Sequence, residues 1–260
     1  MVVPSPLTFY HLNVFPGLVH GVFSRSEGFS KGDFQGLNVG LHTGDDPDIV
    51  NRNRALMLSS MGLTRALFLN QVHGTGIAVI RSEKEAAQAV WKGQGRAPSL
   101  IFKADAAVTN LKGLGLVIQV ADCQAVVLYD PQKEVIANVH SGWRGSVADI
   151  IGRCIDTMVT QFGCTPADIR AGISPSLGPC CAQFINYKRE IPKGLWPYKE
   201  KGRPYFDFWQ ISRDQLGACG VLDEHIETMG LCTRCRTDLF YSYRANKVTG
   251  RFAAVIVLKD

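Results

Sequence analysis

The segment from residue 104 to 140 constrains the fold most, because it holds four apolar runs in close succession. The runs are DAAVTN, GLGLVIQVAD, AVVLYD and VIANVH, and KG and DPQKE turns break the series. Strands that are apolar on both faces are typical of a sheet covered on both sides. The segment therefore predicts a buried sheet with other elements packed against each face.

Helices are predicted where apolar residues recur every three or four positions between start and stop signals. After HSGWRG, one apolar face runs from Val147 to Phe162, and Gly163 stops it. Asp46 and Pro47 have the residue types of an N-cap and a first helical position, and that helix is expected to run to Met61. A third helix is expected near residues 207–218, with Asp207 as its cap.

Further strands are expected outside the central segment, at residues 17–25, 66–74, 77–80, 169–177 and 251–258. Residues 82–100 are polar and weakly patterned, so we expect a loop or short helix at the surface. Because the strands cluster and the helices do not alternate strictly with them, the pattern favours an α+β fold: a mixed α/β sandwich with mixed β-sheets flanked by helices. We expect one domain over residues 1–260.

Composition narrows the partners and the compartment. The net charge of +5 is spread over the 260 residues without a basic block, which argues against a nucleic-acid partner and suits anionic small molecules. No apolar run is long enough to span a bilayer, and the N-terminus does not resemble a signal peptide. The eight cysteines are then expected to be reduced thiols in a cytoplasmic protein without membrane partners.

Three short motifs carry the chemistry: NQVHG at 70–74, ADC at 121–123 and HSGWRG at 140–145. They place His73, Cys123 and His140 at or just past the ends of strand-like runs. Two imidazoles and one thiolate are a ligand set of an open zinc site, in which water or substrate takes the fourth position. The hypothesis requires that these three side chains converge.

Two other interpretations of the same residues remain open on spacing alone. The histidines could be structural and Cys123 a buried core thiol. Alternatively, Cys123 could be a nucleophile with His73 or His140 as its base, without metal. In the first case the chain could be a binding module without catalytic activity.

A second cysteine group is present as Cys232-Thr-Arg-Cys235 together with Cys180-Cys181. A CxxC pair followed by another spaced pair would predict structural zinc. Because Cys180 and Cys181 are adjacent, they would ligate one ion awkwardly, and we interpret all four as core or loop thiols.

Several separated motifs together resemble those of the laccase-domain (YfiH-like) proteins. They are NQVHG, ADAAVTN, ADC, HSGWRG, FYSYR and TGR, with LNVGLHTGDDPDIVNRNR upstream, and they extend from about Gly21 to Arg251. Members of this family have been named copper polyphenol oxidases and, later, purine nucleoside phosphorylases. Two departures from the family pattern are Gln124-Ala125 after ADC and Ala182-Gln183-Phe184 after GPCC.

The resemblance implies a mixed α/β sandwich with zinc held by His73, Cys123 and His140. It also implies phosphorolysis of adenosine, inosine and methylthioadenosine with inorganic phosphate, accompanied by adenosine deamination. The main alternative is a copper-dependent polyphenol oxidase. Multicopper chemistry needs many histidines, and six histidines without an HxH pair make that alternative weak. Copper bound in vitro would not rescue it, since a His/His/Cys site also accepts copper.

Phosphorolysis needs an anion site, and the arginine fork matches phosphate oxygens. Arg144, four residues after His140, is the first candidate for this catalytic role. Arg25 and Arg244 are further candidates for substrate binding.

Other polar residues near the motifs are candidates for substrate contacts or proton transfer. Asp105 could move a proton during deamination and is preferred over Asp122, which neighbours a ligand in the chain. Asn38 could contact ribose or phosphate, and Gln71 could hydrogen-bond a ligand or a bound water.

Overall fold

The computed structural model describes residues 3–92 and 101–259, and it contains two mixed β-sheets. In chain order the strands are β1 (Leu18–Val22), β2 (Ala66–Phe68), β3 (Ile77–Ile80), β4 (Val90–Trp91), β5 (Ala106–Thr109), β6 (Gly115–Val120), β7 (Gln124–Asp130), β8 (Val135–Ser141), β9 (Arg170–Ile173), β10 (Ile226–Thr228) and β11 (Phe252–Leu258). The α-helices are α1 (Pro47–Ser60), α2 (Glu83–Ala89), α3 (Trp143–Val147), α4 (Ile150–Phe162), α5 (Tyr187–Glu190) and α6 (Phe208–Ala218). Short 3-10 segments lie at Tyr10–Leu12, Gly32–Phe34, Pro166–Asp168, Lys193–Tyr198 and Asp223–His225.

The first sheet has the order β1-β11-β6-β2-β4, and the second has the order β10-β9-β7-β8-β5-β3. In each sheet most neighbours are antiparallel, while β2–β6, β3–β5 and β9–β10 are parallel. Both sheets are therefore mixed, and the predicted class of a mixed α/β sandwich is confirmed.

Burial on both faces explains why the central strands are mostly apolar. On β6, Leu116 and Ile118 belong to the core between the sheets, whereas Val117 packs on the α1 side. On β7, Val127 points into the same inter-sheet core, and Val126 packs with α4 on the opposite face. Each sheet is thus covered on both faces, as the sequence pattern predicts.

The predicted helix caps are present. The Asp46 side chain accepts a hydrogen bond from the Asp48 amide, and Pro47 opens α1. Asp207 caps α6 in the same way, by accepting from the Gln210 amide. In the predicted surface segment 82–100, α2 begins after a Ser82 capping box, whereas residues 93–100 lie outside the described ranges.

Two of the differences from the predicted element boundaries have a clear structural cause. The single helix expected from Val147 is divided, because Asp149 adopts a left-handed conformation (φ 55°) and caps the start of α4 with its own side chain. The strand expected to reach His73 ends at Phe68, since hydrogen bonds to a buried carboxylate organise the following turn. Within the described ranges, no helix has both the length and the apolar character needed to cross a bilayer.

A buried histidine on β1 predicts a pH dependence of folding. His20 Nε2 accepts a hydrogen bond from the Phe9 amide at 2.9 Å, and burial lowers the pKa of His20 to about 4. The unfolded chain binds this proton below about pH 6.5, so stability is lost as the pH falls from about 6.5 towards 4. At about pH 5 the stability lost through His20 amounts to about 2 kcal/mol.

Urea unfolding of the wild type and His20→Gln at about pH 7.5 and pH 5 measures this linkage. The decrease in the free energy of unfolding between the two pH values is expected to be about 2 kcal/mol smaller in the variant. Equal decreases in both proteins would contradict the linkage.

Candidate functional site

His73 lies in a turn that a single carboxylate organises. Asp105, which directly precedes β5, is fully buried. Its two oxygens accept hydrogen bonds from the amides of Val72, His73 and Gly74 at 3.3, 2.9 and 2.7 Å. These bonds hold His73 in a left-handed conformation (φ 59°), which is uncommon for residues with a Cβ. The turn presents the exposed imidazole beside the end of β8.

His140 lies on β8 and is oriented by the same carboxylate. Its Nδ1 is 2.7 Å from Asp105 Oδ1, which leaves Nε2 as the ring nitrogen available to a metal. The rings of His73 and His140 are edge to face, with centroids 4.8 Å apart. Burial would lower the pKa of His140, but the neighbouring Cys123 and Asp105 raise that pKa to about 9.

Cys123 directly precedes β7, and its sulfur is 3.9 Å from His73 Nε2. Burial alone would raise the pKa of this thiol, but His140 and His73 lower that pKa to about 6. The thiolate that this environment favours is also the form of cysteine that binds metals.

The donor atoms of His73, Cys123 and His140 all lie within 4.8 Å of one another. Typical Zn–S and Zn–N bonds in a tetrahedron separate the nitrogen and the sulfur by about 3.6 Å. The 3.9 Å between His73 Nε2 and the Cys123 sulfur is close to that value. The predicted convergence of the three side chains is thus observed, and together they form a possible metal-binding group with one side open to the cavity described below.

Gly142 leaves the space in which these side chains meet. A Cβ built at this position would lie 3.0 Å from Cys123 Sγ and 3.0 Å from His73 Cδ2. The backbone of Gly142 (φ −76°) is open to any residue, so Gly142→Ala is expected to fold normally. We expect roughly tenfold weaker metal binding, because both candidate ligands must move away from the methyl group.

A competition titration against a chromogenic chelator measures this loss of metal affinity. Gly217→Ala is the matched control, since no heavy atom lies within 4 Å of its added Cβ. Unchanged affinity in Gly142→Ala would show that the ligands do not depend on this space.

A cavity of about 970 Å³ opens beside the three residues. Its described lining includes five cationic side chains and two carboxylates: Arg54, Arg144, Arg244, Lys247 and Arg251, with Asp122 and Glu190. Aromatic side chains form part of its wall: Phe68, Trp91, Trp143, Phe184, Phe208 and Tyr243. A cavity of this size, with apolar walls and excess positive charge, fits an anionic or phosphate-bearing small molecule.

Two arginines of this cavity carry no role in the sequence prediction. Arg54 on α1 is 5% exposed and donates to the Val39 carbonyl at 2.8 Å and to the Gln119 side chain at 3.2 Å. Burial lowers the pKa of Arg54 to about 9. Arg251 donates to the carbonyls of Thr249 and Gly250, and burial lowers its pKa as well. In the sequence these arginines stand in the motifs NRNR and TGR, and those motifs could have pointed to their place in the cavity.

Among the predicted arginines, Arg144 and Arg244 lie at the cavity and Arg25 does not. Arg144 is exposed, with its guanidinium 4.4 Å from the Trp143 ring centre. Arg244 lines the cavity but donates to the Gln183 carbonyl at 2.8 Å. Arg25 donates to the carbonyls of Gln35 and Thr237 and stacks on Tyr241. Its guanidinium therefore stabilises the loops that carry these residues.

The structure corrects the role predicted for Asn38. Its amide donates to Thr43 and Asp45, while its oxygen accepts from the amides of Gly40 and Arg251. The side chain is fully buried and has no group left for a substrate, so Asn38 stabilises the loop.

Gln71 lines the cavity, but its side chain exchanges two hydrogen bonds with the backbone of Gln119. These bonds tie the His73 turn to β6. Asp122 (φ 87°) accepts from Thr233 Oγ1 and from the Arg244 amide, and its carbonyl accepts from the Leu177 amide. Neither Asp122 nor the fully buried Asp105 has a carboxylate free to exchange protons with a substrate, which corrects the shuttle role predicted for Asp105.

A family model described as multi-copper polyphenol oxidoreductase laccase matches residues 19–259. The chain belongs to this family. Purine nucleoside phosphorylase YlmD of Geobacillus stearothermophilus is 32% identical to this family member, covering 93% of its chain and 90% of the relative. Purine nucleoside phosphorylase YfiH of Escherichia coli K12 is 30% identical, covering 90% and 91%. The crystal structure of Bacillus licheniformis hypothetical protein YfiH matches with a TM-score of 0.87 at 28% identity, covering 98% and 97%. The resemblance drawn from the motifs is confirmed.

The histidines of this laccase-family member do not provide a multicopper centre. All six lie within the described ranges, and only His73 and His140 belong to the group with Cys123. His42 lines the cavity outside that group. A blue copper site with a trinuclear cluster needs many more imidazoles.

Gln124 of the first departure from the family pattern and all three residues of the second line the cavity. Gln124 is buried between Phe208 and Ser212, to which its amide group is hydrogen-bonded. Ala182, Gln183 and Phe184 follow along the wall.

Proposed function

We propose that this protein is a zinc-dependent purine nucleoside phosphorylase that acts on adenosine, inosine and methylthioadenosine with inorganic phosphate. The observation that carries the proposal is a buried arginine without an acidic partner, Arg54, in the same cavity as the His73, Cys123 and His140 group. Purine nucleoside phosphorylase is the name of both curated relatives compared above, which supports the same reaction class.

The phosphate site is proposed at Arg54 and Arg251. Within residues 3–92 and 101–259, no carboxylate lies within ion-pair distance of either guanidinium. A buried cation without a counter-ion is costly, and a bound phosphate would offset that cost. Gln119 connects this region to the metal group, because it accepts from Arg54 and bonds Gln71 beside His73. Arg144 at the cavity wall is a further cation for the phosphate or its approach.

The nucleoside is proposed to lie along the aromatic wall. Trp143 and Phe184 are edge to face with centroids 6.0 Å apart, and Phe208 packs 5.3 Å from Phe184. Purine rings stack favourably on such side chains.

His73, Cys123 and His140 would hold the zinc ion, with Asp105 as the group that orients two of them. A zinc ion in this position would supply Lewis acidity toward a substrate oxygen. The same donor set would also accept copper in vitro, because first-row affinities rise towards Cu²⁺. Activity after reconstitution with each metal separates bound metal from required metal.

The decisive assay is incubation with inosine in the presence and absence of phosphate. We expect hypoxanthine and ribose-1-phosphate in equal amounts, and only when phosphate is present. Adenosine and methylthioadenosine test the substrate range in the same way. Base release that is independent of phosphate, or no base release, would overturn phosphorolysis.

Arg54→Gln tests the proposed phosphate site. Loss of a charge-assisted hydrogen bond, at about 1.5–3 kcal/mol, is expected to raise the KM for phosphate roughly 10- to 100-fold. The matched control is Arg52→Gln on the same helix, where the exposed guanidinium stacks on Phe29. An equal KM for phosphate in both variants would exclude Arg54 from phosphate binding.

Adenosine deamination is a second activity of the proposed enzyme. Hydrolytic deamination needs a carboxylate that exchanges protons with the substrate. Of the two carboxylates in the described lining, Asp122 is fully engaged, whereas Glu190 is half-buried. We therefore propose Glu190 as the proton carrier, and inosine formation from adenosine without phosphate by wild type but not Glu190→Gln would support it.

A metal-free cysteine hydrolase or amidase is the second candidate. The series Cys123, His140 and Asp105 resembles a nucleophile, a base and an orienting carboxylate, and His140 Nδ1 is 2.7 Å from Asp105. Removal of metal with a chelator distinguishes the two candidates. A phosphorylase of the proposed type loses its activity and regains it with zinc, whereas the hydrolase is unaffected.

We also propose a reducing compartment such as the cytoplasm as the working location. All eight cysteines are free thiols in the structure, and a thiolate ligand must remain reduced to bind zinc.

A further inference from the structure

Four cysteines from two distant loops meet beside the cavity wall. The sulfurs of Cys180, Cys181, Cys232 and Cys235 all lie within 4.8 Å of one another. Cys235 Sγ is 3.7 Å from Cys180 Sγ and 3.6 Å from Cys181 Sγ. The four thiols lie in loops, as the sequence predicts, but the fold brings them into one cluster that the sequence interpretation does not include.

The local backbone removes the difficulty of two adjacent ligands. The amides of Cys181 and Ala182 both donate to the Gly178 carbonyl at 2.9 Å, so the chain folds into a tight turn at Cys180 and Cys181. This turn directs both neighbouring sulfurs towards Cys235. Adjacent cysteines can therefore serve one ion here.

A backbone contact also joins the two loops at the sulfur of Cys232. The Gly178 amide donates to Cys232 Sγ at 3.3 Å, so the turn before Cys180 lies directly against the CxxC turn. A Cys232-x-x-Cys235 pair supplies two ligands of a structural zinc site, and a second pair completes a tetrahedral set of four thiolates.

We propose that Cys180, Cys181, Cys232 and Cys235 bind a structural zinc ion, separate from the His73, Cys123 and His140 group. With four protein ligands the ion has no open position, so it serves structure and not the reaction. The proposal does not depend on the proposed phosphorolysis.

The site would fix the wall of the cavity. The loop that carries Cys180 and Cys181 donates the Leu177 amide to the Asp122 carbonyl at 2.8 Å. The loop that carries Cys232 and Cys235 reaches the Asp122 carboxylate through Thr233 Oγ1 at 2.7 Å. Asp122 immediately precedes Cys123, so a bound ion would hold both loops against the residue next to the candidate catalytic thiol.

The experiment is elemental analysis of zinc in purified, buffer-exchanged protein. The wild type is expected to contain two zinc ions per chain, and Cys123→Ala one. The Cys123→Ala, Cys235→Ser double variant is expected to contain none, while Cys219→Ser, outside both groups, retains two. Cys123→Ala leaves the four-cysteine cluster intact, so its metal content does not depend on whether a cluster variant folds.

Cobalt substitution identifies the ligands of the remaining ion. Co²⁺ in Cys123→Ala is expected to show the intense sulfur-to-metal absorption of a tetrathiolate site, and Cys235→Ser in that background should abolish it. The proposal would be overturned if Cys123→Ala contained neither zinc nor cobalt. The four cysteines would then either titrate as free thiols or be joined in a disulfide, which lowers the mass by two units. Zinc retained by the double variant would also overturn the proposal.

Discussion

Cys123→Ala is expected to lose the metal of the His73, Cys123 and His140 group and to lower kcat/KM by about 1,000-fold or more. The reason is that the sulfur is one of three protein donors, and the Lewis acid it helps to hold contributes several kcal/mol of transition-state stabilisation. Phosphorolysis rates and metal content measured on the same preparations check the result. His140→Ala should behave in the same way.

Cys219→Ala is the control for this first prediction, because Cys219 packs partly buried against the α4 side of the second sheet. It should keep its metal and its activity. If Cys123→Ala retained both, the three-residue site would not be the centre of the reaction.

Asp105→Asn is expected to weaken metal binding by about 10- to 100-fold, because it removes the acceptor that fixes both histidines. An asparagine oxygen can accept from some of the Val72, His73 and Gly74 amides. Its NH2 group would then face the remaining N–H donors, from which the second Asp105 oxygen accepts hydrogen bonds. Activity restored by excess zinc would identify Asp105 as a positioning residue. The readout is a competition titration of zinc against a chelator.

Asp130→Asn separates this positioning role from a general loss of stability. Asp130 is also fully buried and also accepts backbone amides, from Gln132 and Lys133, at the far end of β7. Its substitution should lower the free energy of unfolding and leave the zinc affinity unchanged. Equal losses of affinity in both variants would indicate that Asp105 acts only through stability.

The sheets and the metal group can both be predicted from the sequence, but for different physical reasons. The runs that become β6, β7, β8 and β11 are mostly apolar and are buried at every position except Gln119, because each strand contacts a core on both faces. The candidate ligands lie at or near strand ends, where loops gather polar residues. These signals are local, so they are visible in one chain.

The roles of the supporting residues depend on contacts between distant segments. Asp105 receives the amides of a turn more than thirty residues earlier, a pairing that no local pattern shows. Arg54 has the sequence setting of a solvated helix residue, and only the packing of α1 against the first sheet buries it. The four cysteines likewise form one cluster only after Gly178 and Asp122 join their loops.

His73 lies between β2 and β3 in a turn that Gln71 hydrogen-bonds to β6 of the first sheet, whereas Cys123 directly precedes β7 and His140 lies on β8 of the second sheet. The proposed ion would therefore cross-link the two halves of the sandwich. An ion that binds only this folded arrangement adds its binding free energy to the free energy of unfolding. Metal occupancy and thermal stability are then a single linked equilibrium. A core substitution that shifts one sheet against the other will therefore weaken metal binding without touching a ligand, and zinc supply will set the temperature at which the protein unfolds.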